Sequence, residues 1–134
     1  LGPDFPQGKG QELKALYGRH DNIDIFDFVS NLDDLMNAAD VVISMSGYNT
    51  VCEILSLNKK AIVIPRVRPR VEQLIRAERL AKLGLLECLH PHNLCPELVK
   101  EKTEKHLLSE KSLACSINMD GLQNSAAEFE RFLH

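Results

Sequence analysis

At 134 residues, with 44% apolar and 26% charged side chains, the chain is sized for about one globular domain with a core of its own. Sixteen Lys and Arg against 19 Asp and Glu leave a formal charge of −3, and two Tyr, five Phe and no Trp leave little for stacking bases. Together these argue against nucleic acid as a partner. No run of about 18 apolar residues exists and no signal-peptide pattern opens the chain, so no membrane span is expected and the expected location is cytoplasmic.

The elements follow in chain order. Leu1-Gly2-Pro3-Asp4-Phe5-Pro6 has the character of an exit from a strand that the chain itself lacks. A helix is expected over about 9–19, with Leu13, Leu16 and Tyr17 on one face. Ile23 to Phe28 alternates apolar and acidic residues, the pattern of a strand. Ser30 with Asp33 fits a capping box before a helix carrying Leu32, Leu35, Met36 and Ala39 as its buried stripe. Val41 to Ser44 and Ala61 to Ile64 are short apolar runs of the kind found in strands covered on both faces. Between them a crossover helix is expected to open at Asn49 or Thr50 and to close at Asn58-Lys59-Lys60. Arg70 to Leu83 is amphipathic and is stopped by Gly84. A short strand follows over Leu85 to Leu89, then a helix over about 96–108 opened by Pro96, a loop over 109–119, and a last helix capped by Asp120 with Leu122, Ala126, Phe129 and Leu133 on one face. Strands alternating with helices through short connections predict an α/β, doubly wound, mainly parallel sheet with helices on both faces.

Cys52, Cys88, Cys95 and Cys115 form no C-x-x-C pair, so reduced thiols are expected rather than a disulfide or metal framework. His90-Pro91-His92 lacks acidic or thiol partners at ligand spacing and is expected to be a surface loop. The chemistry concentrates at residues 40–73. Strand, small-residue turn Met45-Ser46-Gly47-Tyr48 and helix start form an anion site, because the first amides of a helix are unpaired and the helix dipole is positive there. At Gly47 no Cβ bars close approach to the backbone. Thr50 and Glu53 have T-x-x-E spacing, which allows two roles for Glu53: reaching back to the helix cap, or accepting two hydrogen bonds from the vicinal hydroxyls of a ribose. Arg66, Arg68 and Arg70 occur at every second position, with Pro65 and Pro69 holding the backbone extended, so three guanidinium groups are expected to share a face at the end of a buried strand, where open α/β sheets bind ligands. Glu72 suits a helix N-terminus on electrostatic grounds alone, and Gln73 offers the donor and acceptor that sugar hydroxyls require.

At these residues the chain resembles the C-terminal, donor-binding domain of glycosyltransferase family 28, within the GT-B fold. The markers are F-V-x-x-L from Phe28, A-A-D-V-V-I-S from Ala38, S-G-Y-N-T-x-x-E from Ser46, A-I-V-I-P-R from Ala61, and the Glu72-Gln73 pair opening a helix. The resemblance implies that the backbone at Val29 faces the base, uracil foremost. It implies that Ser46, Gly47, Tyr48, Asn49 and Thr50 form the diphosphate turn, that Glu53 binds the ribose, and that Glu72 and Gln73 meet the donor sugar with Arg66 and Arg70 nearby. Tyr48-Asn49 departs from the smaller residues that some relatives carry. The implied activity is transfer of a hexosyl group from a nucleoside-diphosphate sugar, UDP-linked by expectation, with no cofactor and no protein-bound metal. As domain organisation, 1–134 is expected to be a single donor-binding domain, a fragment inactive by itself. Its first strand is expected to be absent, with the acceptor-binding N-terminal domain supplied elsewhere or by a partner subunit. The open sheet flank left by a missing strand predicts self-association. Two rival expectations are a non-catalytic regulatory or assembly subunit and a UDP-sugar 2-epimerase-like fragment.

Overall fold

In the computed structural model, which describes residues 6, 8–110 and 117–133, the two continuous apolar runs become neighbouring parallel strands. The described elements are α1 (Lys9–Tyr17), α2 (Leu32–Ala38), β1 (Val42–Ser44), α3 (Tyr48–Ser56), β2 (Ala61–Val63), α4 (Glu72–Lys82), β3 (Glu87–Cys88), a single 3-10 turn (Pro91–Asn93), α5 (Pro96–Leu108) and α6 (Gly121–Leu133). The strand order is β1-β2-β3, all parallel, with Ile43 opposite Ile62 and Val63 opposite Cys88. The α/β architecture with a parallel sheet is therefore the one expected from the sequence. The terminal expectations at residues 1–5 and at Cys115 lie outside the described residues.

By contact the chain divides into residues 1–34 and residues 35–134, each described by itself. In the first unit α1 leads into turns closed by backbone bonds from His20 to Tyr17 and from Ile23 to His20, and Lys14 pairs with Asp27. The strand expected over Ile23 to Phe28 does not form. Alternation supplies the two faces of a strand but not its neighbour, and no described strand pairs with this segment.

In the second unit β2 is the centre. Ala61 and Val63 point into a cluster with Met36, Ile54, Ala77 and Leu86, and Ile62, on the opposite side, is also fully buried. Burial on both faces is what selects an unbroken apolar run over an alternating one. Two helix ends set where the strands begin. After α4, Gly84 adopts φ +71, its amide bonds Ala81 O at 3.0 Å, and the amide of Leu85 bonds Leu80 O at 3.1 Å. After α3, Asn58 (φ 52) bonds Leu55 O at 3.1 Å and Lys59 bonds Ile54 O at 3.0 Å. Both are Schellman endings, with glycine or asparagine at the left-handed position.

The last helix departs from expectation. Leu122 is 82% and Phe129 71% exposed, so the apolar face of α6 has no cover among the described residues; the side chain of Leu133 lies outside them. A helical period predicts a face, but burial requires an opposing element. α5, by contrast, is held by charge. Glu87 on β3 meets Lys102 Nζ at 2.8 Å and His106 Nε2 at 3.0 Å, and Lys60 Nζ donates to the carbonyls of His106 (2.9 Å) and Ser109.

Burial acts to raise the Glu87 pKa, but the hydrogen bond and charge of Lys102, the charge of Lys105 and the bond to His106 together hold it below the ordinary 4.5. A carboxyl with a lowered folded-state pKa contributes stability above its unfolded value, and that contribution is lost as pH falls through the folded value. Glu87→Gln should therefore lower stability at pH 7 by about 1 kcal/mol, given partial solvent screening. Urea midpoints should converge with wild type as pH drops below about 4.5. Parallel pH profiles for the two proteins would show that the cluster is not a source of acid sensitivity.

Candidate functional site

β1 and β2 run side by side and end together, the amide of Ile64 bonding Ser44 O at 2.8 Å. The turn 45–47 and the loop from Pro65 therefore leave the same end of the sheet, the end at which open α/β sheets bind ligands.

The helix after the first turn opens at Tyr48, one or two residues earlier than expected, with Gly47 as N-cap. This shift removes the capping box. Thr50 becomes the third helical residue, Glu53 the sixth, and no side chain caps the helix. The first intrahelical bond runs from the amide of Val51 to Gly47 O at 3.0 Å. The amides of Gly47, Tyr48, Asn49 and Thr50 are thus four successive donors without an acceptor among the described residues. The Glu53 carboxylate, half-buried, has no ion-pair or hydrogen-bond partner among them either. It lies one turn after Asn49 and Thr50 on the same helical face.

Two observations separate this helix start from those of α4 and α5, which also lack side-chain caps. Ser46 is fully buried, and its Oγ has no hydrogen-bond partner among the described residues. A buried hydroxyl without a partner costs about 1–3 kcal/mol, and at 0% exposure neither solvent nor a ligand reaches it in this conformation. Gly47 is demanded by neither of the usual reasons: φ is −64, open to any residue, and an added Cβ would meet only Thr50 Oγ1, at 3.8 Å. What the missing Cβ leaves free is the approach from outside.

The arginine loop differs from the extended row expected. A bend at Arg68 and Pro69, whose peptide bond is cis, interrupts the segment, so the parity that would set Arg66, Arg68 and Arg70 on one face does not carry through. All three are exposed, and none has an acidic partner among the described residues. Gln73 is already engaged, its Oε1 accepting from the backbone amide of Arg66 at 3.1 Å. Glu72, exposed at the first position of α4, stands at the positive end of that helix. Val29, half-buried in the coil of residues 1–34, follows no strand.

Arg76 was not among the residues that sequence patterns single out. Its Nη1 donates to Ser46 O at 2.8 Å, and its guanidinium carbon lies 5.5 Å from the centre of the Tyr48 ring. The only sequence signal was its place three residues after Gln73, on the same face of the helix. The flanking His90 and His92 form an edge-to-face pair at 5.0 Å, with His90 Nδ1 accepting from the His92 amide at 3.2 Å. Among the described residues no group of three His, Cys, Asp or Glu is arranged to hold a metal, Cys52, Cys88 and Cys95 are unpaired, and no helix is long and apolar enough to cross a membrane.

Comparison with known proteins gives the family. Residues 5–130 match the model of the glycosyltransferase family 28 C-terminal domain. A UDP-N-acetylglucosamine–N-acetylmuramyl-(pentapeptide) pyrophosphoryl-undecaprenol N-acetylglucosamine transferase of Haemophilus influenzae (strain PittEE) is 31% identical over 128 residues, covering 90% of this chain and 36% of that protein. The enzyme of the same name from Clostridium kluyveri is 31% identical over 121 residues (88% and 34%), and that of Sulfurihydrogenibium sp. is 36% identical over 85 residues (63% and 24%). The chain spans about a third of the length of the first of these.

Gly47→Ala separates folding from ligand approach. Because φ is ordinary and the Cβ space is open, the variant should fold with a loss of about 1 kcal/mol or less. Its affinity for UDP, followed by amide NMR shifts, should fall by about tenfold or more, a loss of ~1.4 kcal/mol. Unchanged affinity would mean that no ligand comes close to the backbone at this position.

Proposed function

Since this chain belongs to the glycosyltransferase family 28 C-terminal domain family, we propose that it binds the donor of a hexosyl transfer, a nucleoside-diphosphate sugar linked through UDP. The observation that carries the proposal is the turn at the end of β1: four unpaired amides at a helix N-terminus, with the Arg76 guanidinium on the Ser46 carbonyl and no carboxylate within ion-pair distance of that arginine among the described residues. A diphosphate suits that turn because oriented amides and the helix dipole stabilise negative charge with no metal required. Two amides with two arginine contacts, at about 1.5–3 kcal/mol for each charge-assisted bond, suffice for micromolar to millimolar binding after association costs.

In this reading Ser46, Gly47, Tyr48, Asn49 and Thr50 surround the diphosphate and Glu53 accepts both ribose hydroxyls. The freedom of the Glu53 carboxylate from any cap supports that role. Arg66 and Arg70 lie beside the diphosphate and Glu72 meets the sugar. Gln73 contributes its amide nitrogen, its oxygen being bonded to Arg66. Val29 faces the base. The names of the relatives, which specify UDP-N-acetylglucosamine, support UDP as the nucleotide. Acceptor recognition and the catalytic base come from an acceptor-binding half, joined to this domain or separate, and the setting is cytoplasmic. The free edge of β1, which pairs only with β2 among the described residues, supports self-association in the domain alone.

The test is titration with UDP and 2′-deoxy-UDP, read at the amides of 46–53. Glu53→Gln should weaken UDP by about 10- to 100-fold, the worth of one or two charge-assisted bonds, and 2′-deoxy-UDP by less. Equal losses for both nucleotides would remove Glu53 from the ribose, and silence of those amides at millimolar UDP would end the donor-site reading.

A further inference from the structure

Gln73 and Arg76 stand three residues apart on one face of α4, and each holds a different turn. Gln73 Oε1 takes the amide of Arg66 after β2, and Arg76 Nη1 takes the carbonyl of Ser46 after β1. Behind them Ala77, fully buried, with Leu80 and Ala81, locks the helix into the core. α4 is thus a rigid bar to which both loops of the candidate site are fastened.

The bond from Arg76 has a further consequence. In a trans peptide the C=O and the following N–H point in opposite directions across a planar unit. With the Ser46 oxygen held by Arg76, the amide of Gly47 is turned away from Arg76, and it is the first of the four unpaired donors. Glycine on one side of a peptide unit makes rotation of that unit easier than a bulkier residue would. A rotated unit would present a carbonyl oxygen where an anion requires a donor. Arg76 is also available for this task, because it has no carboxylate within ion-pair distance among the described residues. Glu72 stands one turn earlier, at the spacing of a helix-surface ion pair, yet the arginine engages the Ser46 carbonyl and lies against the Tyr48 ring.

We infer that Arg76 is the positioning residue of the anion turn: it fixes the Ser46–Gly47 peptide with the Gly47 N–H toward the ligand and adds an uncompensated positive charge beside it. The inference rests on the donor-site reading, and it assigns a role within that site to a residue the sequence patterns did not indicate. Tyr48 belongs to the same device, its ring lying against the guanidinium with 5.5 Å from ring centre to guanidinium carbon.

The experiment compares wild type, Arg76→Met and Arg76→Lys in the 134-residue chain, with inorganic pyrophosphate, UDP and uridine as probes and amide NMR and thermal melting as readouts. Arg76→Met should weaken pyrophosphate and UDP by about tenfold or more, the worth of one charge-assisted bond, with uridine unchanged. The Gly47 amide should move in the free protein. Arg76→Lys, which keeps the charge and a donor but not the planar contact with Tyr48, should fall between the two. If Arg76→Met does not fold, the Lys variant decides: UDP affinity equal to wild type, or uridine lost in parallel with UDP, overturns the inference. Wild type that binds UDP alongside an Arg76→Met that binds it equally well overturns the inference alone. Wild type that binds neither pyrophosphate nor UDP overturns the donor-site reading and this inference with it.

Discussion

Burial of β2 on both faces is the constraint from which the rest of this structure follows. A strand with Ala61 and Val63 against one layer and Ile62 sealed on the other side must have its backbone groups satisfied by neighbouring strands, since no water reaches them. Parallel pairing with β1 and β3 does this. Parallel strands deliver all their exits to one end of the sheet, so the turn after Ser44 and the loop after Val63 become neighbours although α3 separates them in sequence. The site is a consequence of the core.

Proximity does not make a site; orientation does. The small-residue turn at 45–47 and the bent loop after Pro65 are each bonded to α4, the first through Arg76 and the second through Gln73. These helix side chains bond a carbonyl of one turn and an amide of the other, and the amides of 47–50 stay free of internal acceptors among the described residues. Unsatisfied donors are tolerated at a helix start because solvent or a ligand reaches them, whereas the Ser46 hydroxyl, fully buried, has no such outlet within the described fold.

The departures from expectation share a cause. Alternation at Ile23 to Phe28, the helical stripe of α6 and the T-x-x-E spacing at Thr50 are correct as local patterns. Each needed something that local sequence does not encode. The strand needed a neighbour, the stripe an opposing surface, and the capping box a helix that began three residues later than it does. The arginine row failed for a related reason: parity holds only while the backbone stays extended, and the bend at Arg68 and Pro69 ends it.

What the sequence determined by itself is whatever depends on neighbours along the chain. The apolar runs named the strands, Gly84 and Asn58 stopped the helices, and the turn around Gly47 announced a helix start, all through backbone conformation and periodicity that act over a few residues. Tertiary structure decided which of those groups meet. It released Glu53 from the cap, engaged Gln73 with Arg66, left the α6 face open, and turned Arg76 onto the Ser46 carbonyl instead of Glu72. The Gln73 and Arg76 contacts join residues 7 and 30 apart in the chain. Such contacts are fixed when layers pack, and no local period carries them.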